Sequence, residues 1–126
     1  MLEIKPTTDK QVIAALCRKC RLVADESLYA YVAASGNETL ASALFQMEAD
    51  AAQVLYYEST EPGDRFLFDG LLRAGFHFAE EQGVTTGRIP EPFRQLHLGL
   101  FERLNYPVTT EFGIENFFSK YKNCAL

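Results

Sequence analysis

Tryptophan is absent, and cysteine, methionine and histidine number only three, two and two in 126 residues. Cys17, Cys20 and Cys124 are an odd set and too few for a disulfide framework in a chain of this size. Cys17-x-x-Cys20 lacks the strand-to-helix context of a redox pair, and no second such pair completes a zinc site. Packing is the stronger account of it, and no metal is expected. Basic residues are also in deficit: twelve Lys and Arg face seventeen Asp and Glu, giving a formal charge of −5 with the positive residues scattered. That balance offers no positive stripe for nucleic acid. No apolar run approaches the roughly 20 residues of a membrane span, and the opening MLEIKPTTDK has no hydrophobic signal centre. A cytoplasmic setting without a membrane partner is the expectation.

Hydrophobic residues make up 48% and charged residues 23%, enough apolar content for one domain spanning 1–126. An extended start, LEIKP, leads to Thr7 or Thr8 as a helix N-cap, with Asp9 in the first turn of a helix to about Arg21. Val12, Ile13, Leu16, Cys17 and Cys20 share its apolar face. Residues 28–34 alternate and are rich in Tyr and Val, Ser35-Gly36-Asn37-Glu38 reads as a hairpin turn, and residues 39–47 return. A turn at Ala49 to Ala51 then precedes a strand at 53–59, so an antiparallel meander is predicted. The spacing of Leu67, Phe68, Leu71, Leu72, Gly75 and Ala79, extended by Phe76 and Phe78, predicts a helix from Arg65 to Gln82 with Gly83 at its C-terminal cap. Strands at 84–89 and 108–112 flank a second helical segment carrying Phe93, Leu96, Leu100 and Leu104. Ile114 to Tyr121 reads as a short terminal helix. The strand candidate at 2–5 completes a mixed α+β order, β-α-β-β-β-α-β-α-β, with no internal repeat.

Three segments carry a resemblance across nearly the whole chain: YAYVAASGNETLASALFQMEADAAQVLYYEST, DGLLRAGFHFAEEQGV and LFERLNYPVTTEFGIENFFSK. In these the chain resembles the acyl-CoA N-acyltransferase superfamily, as a GNAT-type N-acetyltransferase-like domain with a degenerate cofactor motif. The resemblance implies a central twisted mixed sheet flanked by helices, with the strands at 53–59 and 84–89 adjacent and parting in a V. It also implies an acetyl-CoA or longer acyl-CoA cofactor. The pyrophosphate turn of such domains matches GDRFLFDGLL, which places Gly63, Asp64, Arg65, Phe66, Leu67, Phe68 and Asp69 at the cofactor and sets Phe66 and Phe68 where two glycines are usual. Phenylalanine narrows the approach to the backbone amides. Asp64 and Asp69 repel phosphate unless turned away, and Arg65 offsets them. Phe66 to Phe68 can equally cap the core, and Asp69 with Arg73 has ordinary i,i+4 ion-pair spacing.

Acyl transfer needs a deprotonated amine, a polarised carbonyl and a proton for the leaving thiolate. Glu58, ending the central strand, is the general-base candidate, and backbone amides near Tyr56 and Tyr57 are the oxyanion candidates. Phe101 stands where many such domains carry an acidic Tyr, which leaves Tyr106 as the alternative acid. Tyr29, Tyr31, Tyr56 and Tyr57 either line a substrate cleft or belong to the core. His77 and His97 read as ordinary helical or partly buried residues. The short stretch Leu22 to Ser27 makes a small acceptor wall. Two functions are compatible with this set. One is N-acyl transfer to a small amine or a peptide N-terminus; the other is a non-catalytic binding or assembly domain, such as a homodimer.

Overall fold

The computed structural model describes residues 2–118. Six strands form one sheet in sequence order: β1 (Leu2–Thr7), β2 (Leu28–Ser35), β3 (Glu38–Met47), β4 (Ala52–Ser59), β5 (Thr86–Arg88) and β6 (Glu111–Gly113). The first four are an antiparallel meander, β4 and β5 are parallel, and β5 and β6 are antiparallel. The mixed sheet flanked by helices expected from the sequence is present. Between strands lie α1 (Lys10–Lys19), α2 (Arg65–Glu81), α3 (Glu91–Leu96) and α4 (Leu98–Leu104).

The chain departs from the predicted boundaries for local reasons. Asp9, and not Thr7 or Thr8, caps α1: its carboxylate accepts the Gln11 amide at 2.8 Å, while the Thr7 hydroxyl accepts the Asp9 amide at 3.2 Å. β6 begins at Glu111, later than 108, because Thr109 is held in a turn by its amide bond to Pro107 O and its hydroxyl bond to Glu111 O. The segment expected as one helix through residues 93–104 breaks at His97, where φ −116° and ψ 27° end α3 and begin α4. The terminal helix starts at Ile114 as expected, and its predicted end at Tyr121 lies outside the described residues, as does Cys124.

Strand alternation sorts side chains between two layers. On one face Leu16 and Cys17 of α1 pack with Leu28, Ala30 and Leu44. On the other, α2 buries Leu67, Phe68, Leu71, Leu72, Phe76 and Ala79 against Ala43, Phe45, Val54 and Tyr57, in a core shared with α3 and α4. Full burial of each such large side chain stabilises by about 1.5–3 kcal/mol, so α2 anchors the fold. Tyr29 and Tyr31 also belong here: the Tyr29 ring stacks on Phe45 at 5.2 Å, both meet Phe78, and the Tyr29 hydroxyl donates to Gly75 O at 2.8 Å. Gly83 follows the α2 cap at φ +89°, a conformation glycine adopts without strain.

A Cβ at Gly75 would sit 2.1–2.4 Å from the Phe45 ring, so α2 and β3 approach as closely as glycine permits. On an exposed helix Gly→Ala stabilises by about 1 kcal/mol. Here Gly75→Ala is expected to destabilise by about 1–3 kcal/mol through overpacking, read from the midpoint of urea unfolding. A gain in stability would place α2 farther from the sheet.

Candidate functional site

Parallel pairing of β4 with β5 consists of Ala52 with Gly87 and Gln53 with Arg88. Beyond Gln53, β4 continues to Ser59 with no strand beside it on that side among the described residues, while the chain leaving β5 turns away with Ile89 bonded to Thr110 O. This is the V-shaped parting that the resemblance implies. The wedge is filled by the chain's own rings. Phe68, fully buried, lies 4.9 Å from Tyr57, 5.6 Å from His97, 5.5 Å from Phe101 and 6.0 Å from Phe93, centroid to centroid.

The turn from β4 into α2 is closed on itself. Ser59 Oγ accepts the Glu61 amide at 2.9 Å, Glu61 O accepts the Asp64 amide at 2.9 Å, and Asp64 caps α2. One Asp64 carboxylate oxygen accepts the Phe66 amide at 2.9 Å and the Leu67 amide at 3.2 Å. These are donors a helix start would otherwise offer to an anion. Gly63 O accepts from Arg103 Nη1 at 2.8 Å. Phe66 and Phe68 have separate fates: Phe66 is 74% exposed, its ring 5.0 Å from the Arg65 guanidinium carbon, whereas Phe68 enters the wedge. Asp69 is engaged by Arg73 Nε at 2.8 Å, and the Tyr106 hydroxyl donates to its other oxygen.

A bulge at Leu55 decides which way the end of β4 faces. Leu44 pairs with Tyr56 and Phe45 with Val54, so Leu55 is the extra residue. Leu55 and Tyr56 turn to the α1 layer and Tyr57 to the α2 layer. Glu58 then faces α1, accepting from Lys19 Nζ at 2.6 Å and from the Tyr56 hydroxyl at 3.1 Å. The carboxylate raises the Lys19 pKa by hydrogen bonding and by its charge. Burial first, then the bond to Glu58, raises that of Tyr56. Tyr106 is buried in the α2 layer between Phe101 and Phe117. The two candidates for proton transfer, Glu58 and Tyr106, therefore lie on opposite faces of the sheet and are not brought together.

His97 Nε2 is buried with no hydrogen-bond partner, and Tyr57 Oη is buried with no more than a weak interaction with the Ser59 side chain. Burial raises the Tyr57 pKa; Ser59 opposes the shift and the Asp64 charge adds to it. Burial lowers the His97 pKa below its ordinary 6.5. His97, with Leu96, Leu100, Arg103, Pro62 and Gly63, also lines a cavity of about 390 Å³ at the wedge mouth. Reading the sequence passed over His97 and Arg103, because the apolar period of Phe93, Leu96, Leu100 and Leu104 runs on through the break that turns His97 inward. Among the described residues no group of three or more His, Cys, Asp and Glu is placed to hold a metal, and no helix is long and apolar enough to cross a membrane.

No protein-family model matches the sequence, and no curated protein matches it. Solved structures do. The ribosomal-protein-S18-alanine N-acetyltransferase of Escherichia coli superposes with a TM-score of 0.63 at 16% identity, covering 87% of this chain and 80% of that one. The chain has the GNAT fold. An Elizabethkingia anophelis GNAT family acetyltransferase with acetyl-CoA bound gives 0.58 at 14% identity over 86% and 77% of the two chains. A Bacillus subtilis acetyltransferase in complex with CoA gives 0.57 at 14% over 87% and 79%. At these identities the likeness is one of fold.

Because burial lowers the His97 pKa in the folded chain, the unfolded chain takes up a proton at this residue more readily as the pH falls through 6.5. The stability contributed by its burial is complete above that value and is lost as the pH falls through 6.5 toward the depressed folded value. His97→Leu is expected to flatten the fall in stability between pH ~7 and ~5, measured by urea unfolding at each pH. The Asp25 carboxyl, held below its ordinary 3.8 by bonds from Ser27, titrates lower and does not mask the effect. An unchanged slope would show that His97 is solvated.

Proposed function

We propose that this chain is a binding domain built on the GNAT fold, and that it does not hold acyl-CoA as an acyltransferase of that fold would. The observation that carries this reading is the Asp64 cap: a carboxylate already accepts the Phe66 and Leu67 amides at the start of α2. A pyrophosphate there would have to displace an anion from its own hydrogen bonds, against like-charge repulsion. The buried Phe68 ring supports the same conclusion, since a pantetheine arm along β4 would need the space it fills. The residues present do not fit the cofactor.

The retained parting of β4 and β5 favours a second reading, N-acyl transfer from an acyl-CoA to a small amine or a peptide N-terminus. Calorimetry with acetyl-CoA and longer acyl-CoAs separates the two. The binding reading expects no saturable heat up to a Kd of about 1 mM. Micromolar binding that weakens in Arg65→Ala, together with product formation on an amine panel, would replace it with the transfer reading. In that event Glu58→Gln should lower kcat by about 10²-fold with the fold intact, and an unchanged rate would remove Glu58 from the chemistry.

A further inference from the structure

We propose that the cavity at the mouth of the wedge binds a small monocarboxylate with an apolar body and a hydrogen-bonding group at its far end. The inference rests on the binding-domain reading and names the class of ligand that reading requires.

Charge points to the acid group. The cavity of about 390 Å³ is within the range of small-molecule sites. Its walls are apolar, from Pro62, Leu96 and Leu100, and Arg103 is the one ionised side chain lining it. In a chain of net charge −5, a cavity with a guanidinium and no carboxylate selects an anion. Arg103 is prepared for that role. The bond from Nη1 to Gly63 O fixes its orientation, and among the described residues the guanidinium has no ion pair. Its remaining donors form the planar fork that a carboxylate meets with two parallel bonds.

The far end is marked independently by His97 and Tyr57. His97 contributes to the lining while its Nε2 lies buried and unpartnered, and the Tyr57 ring, whose buried hydroxyl has no more than a weak interaction with Ser59, lies 5.6 Å away behind it. Buried polar side-chain atoms in folded proteins almost always have partners, so the unpartnered His97 Nε2 calls for a water or a ligand group from outside the chain. A modest turn of the imidazole, in the cavity it already lines, presents a nitrogen to a ligand hydroxyl. Arg103 and His97 are separated along α4 by roughly 9 Å of helix rise, which a six-membered ring with a short acid arm spans. Gly99 leaves the intervening wall open, since a Cβ there would meet nothing within 4 Å.

The test is calorimetry on the wild-type chain with 4-hydroxyphenylacetate, phenylacetate, 4-hydroxyphenylacetamide and inorganic phosphate. The expected order is saturable binding of the hydroxy acid, roughly tenfold weaker binding of phenylacetate and none of the amide or phosphate. Arg103→Gln, at an exposed position, should weaken the hydroxy acid by at least about tenfold, and Arg103→Lys should recover part of the loss. The imidazole nitrogen resonances of His97 should move on saturation with the hydroxy acid. No saturable binding of either acid, equal affinity for the amide or phosphate, or an unchanged affinity in Arg103→Gln would overturn the proposal. Failure here with acetyl-CoA also silent removes only the ligand class, whereas saturable acetyl-CoA binding removes the binding-domain reading beneath it.

Discussion

Strand β4 loses its neighbour after Gln53, and the rest of the molecule is arranged around covering that edge. A sheet edge inside a core exposes backbone donors and acceptors to an apolar medium, and the parting also leaves a space that must be filled or hydrated. In this chain the space is closed from three directions. Phe68 comes from α2, Phe93 from α3 and Phe101 from α4, all within about one ring's reach of one another. The break at His97 matters for this reason: it lets α3 and α4 approach the wedge at different angles and present both aromatic residues to it.

The electrostatics at the wedge are local and self-contained. Asp64 neutralises the positive start of α2, the pair of Arg73 and Tyr106 holds Asp69, and Lys19 holds Glu58 on the far side of the sheet. Each of these carboxylates is committed to a structural partner, so the anionic groups near the wedge stabilise elements of the fold. Arg103 is different. Among the described residues it makes one hydrogen bond, to Gly63 O, which steadies the turn and leaves the charge at the cavity mouth. With Asp64, Asp69 and Glu58 engaged and no ion pair at Arg103 among the described residues, the cavity mouth has the charge asymmetry of a site for an anion.

Much of the fold was legible in the sequence because its signals were periodic. The alternation of LYAYVAAS and the turn at Gly36 gave the hairpin of β2 and β3, and the stripe from Leu67 to Ala79 gave α2. The site was harder. VLYYES is apolar or amphipathic on both faces, so nothing in it announced the bulge at Leu55 that sends Glu58 toward α1. Asp64 has the residue type and position of an N-cap before an apolar stripe, yet reading it only as a charge near a phosphate obscured its bond to the Phe66 and Leu67 amides. His97 stayed hidden because an unbroken apolar period crosses the joint between α3 and α4, where a backbone change, and no composition change, turns the ring inward.

A crystal structure grown with excess acetyl-CoA tests the central claim most directly, since it shows both the helix start and the wedge. The account predicts Asp64 on the Phe66 and Leu67 amides, the Phe68 ring between β4 and α4, and no coenzyme along β4. A pantetheine arm lying between β4 and β5, with Phe68 displaced and phosphate on the α2 amides, would contradict it.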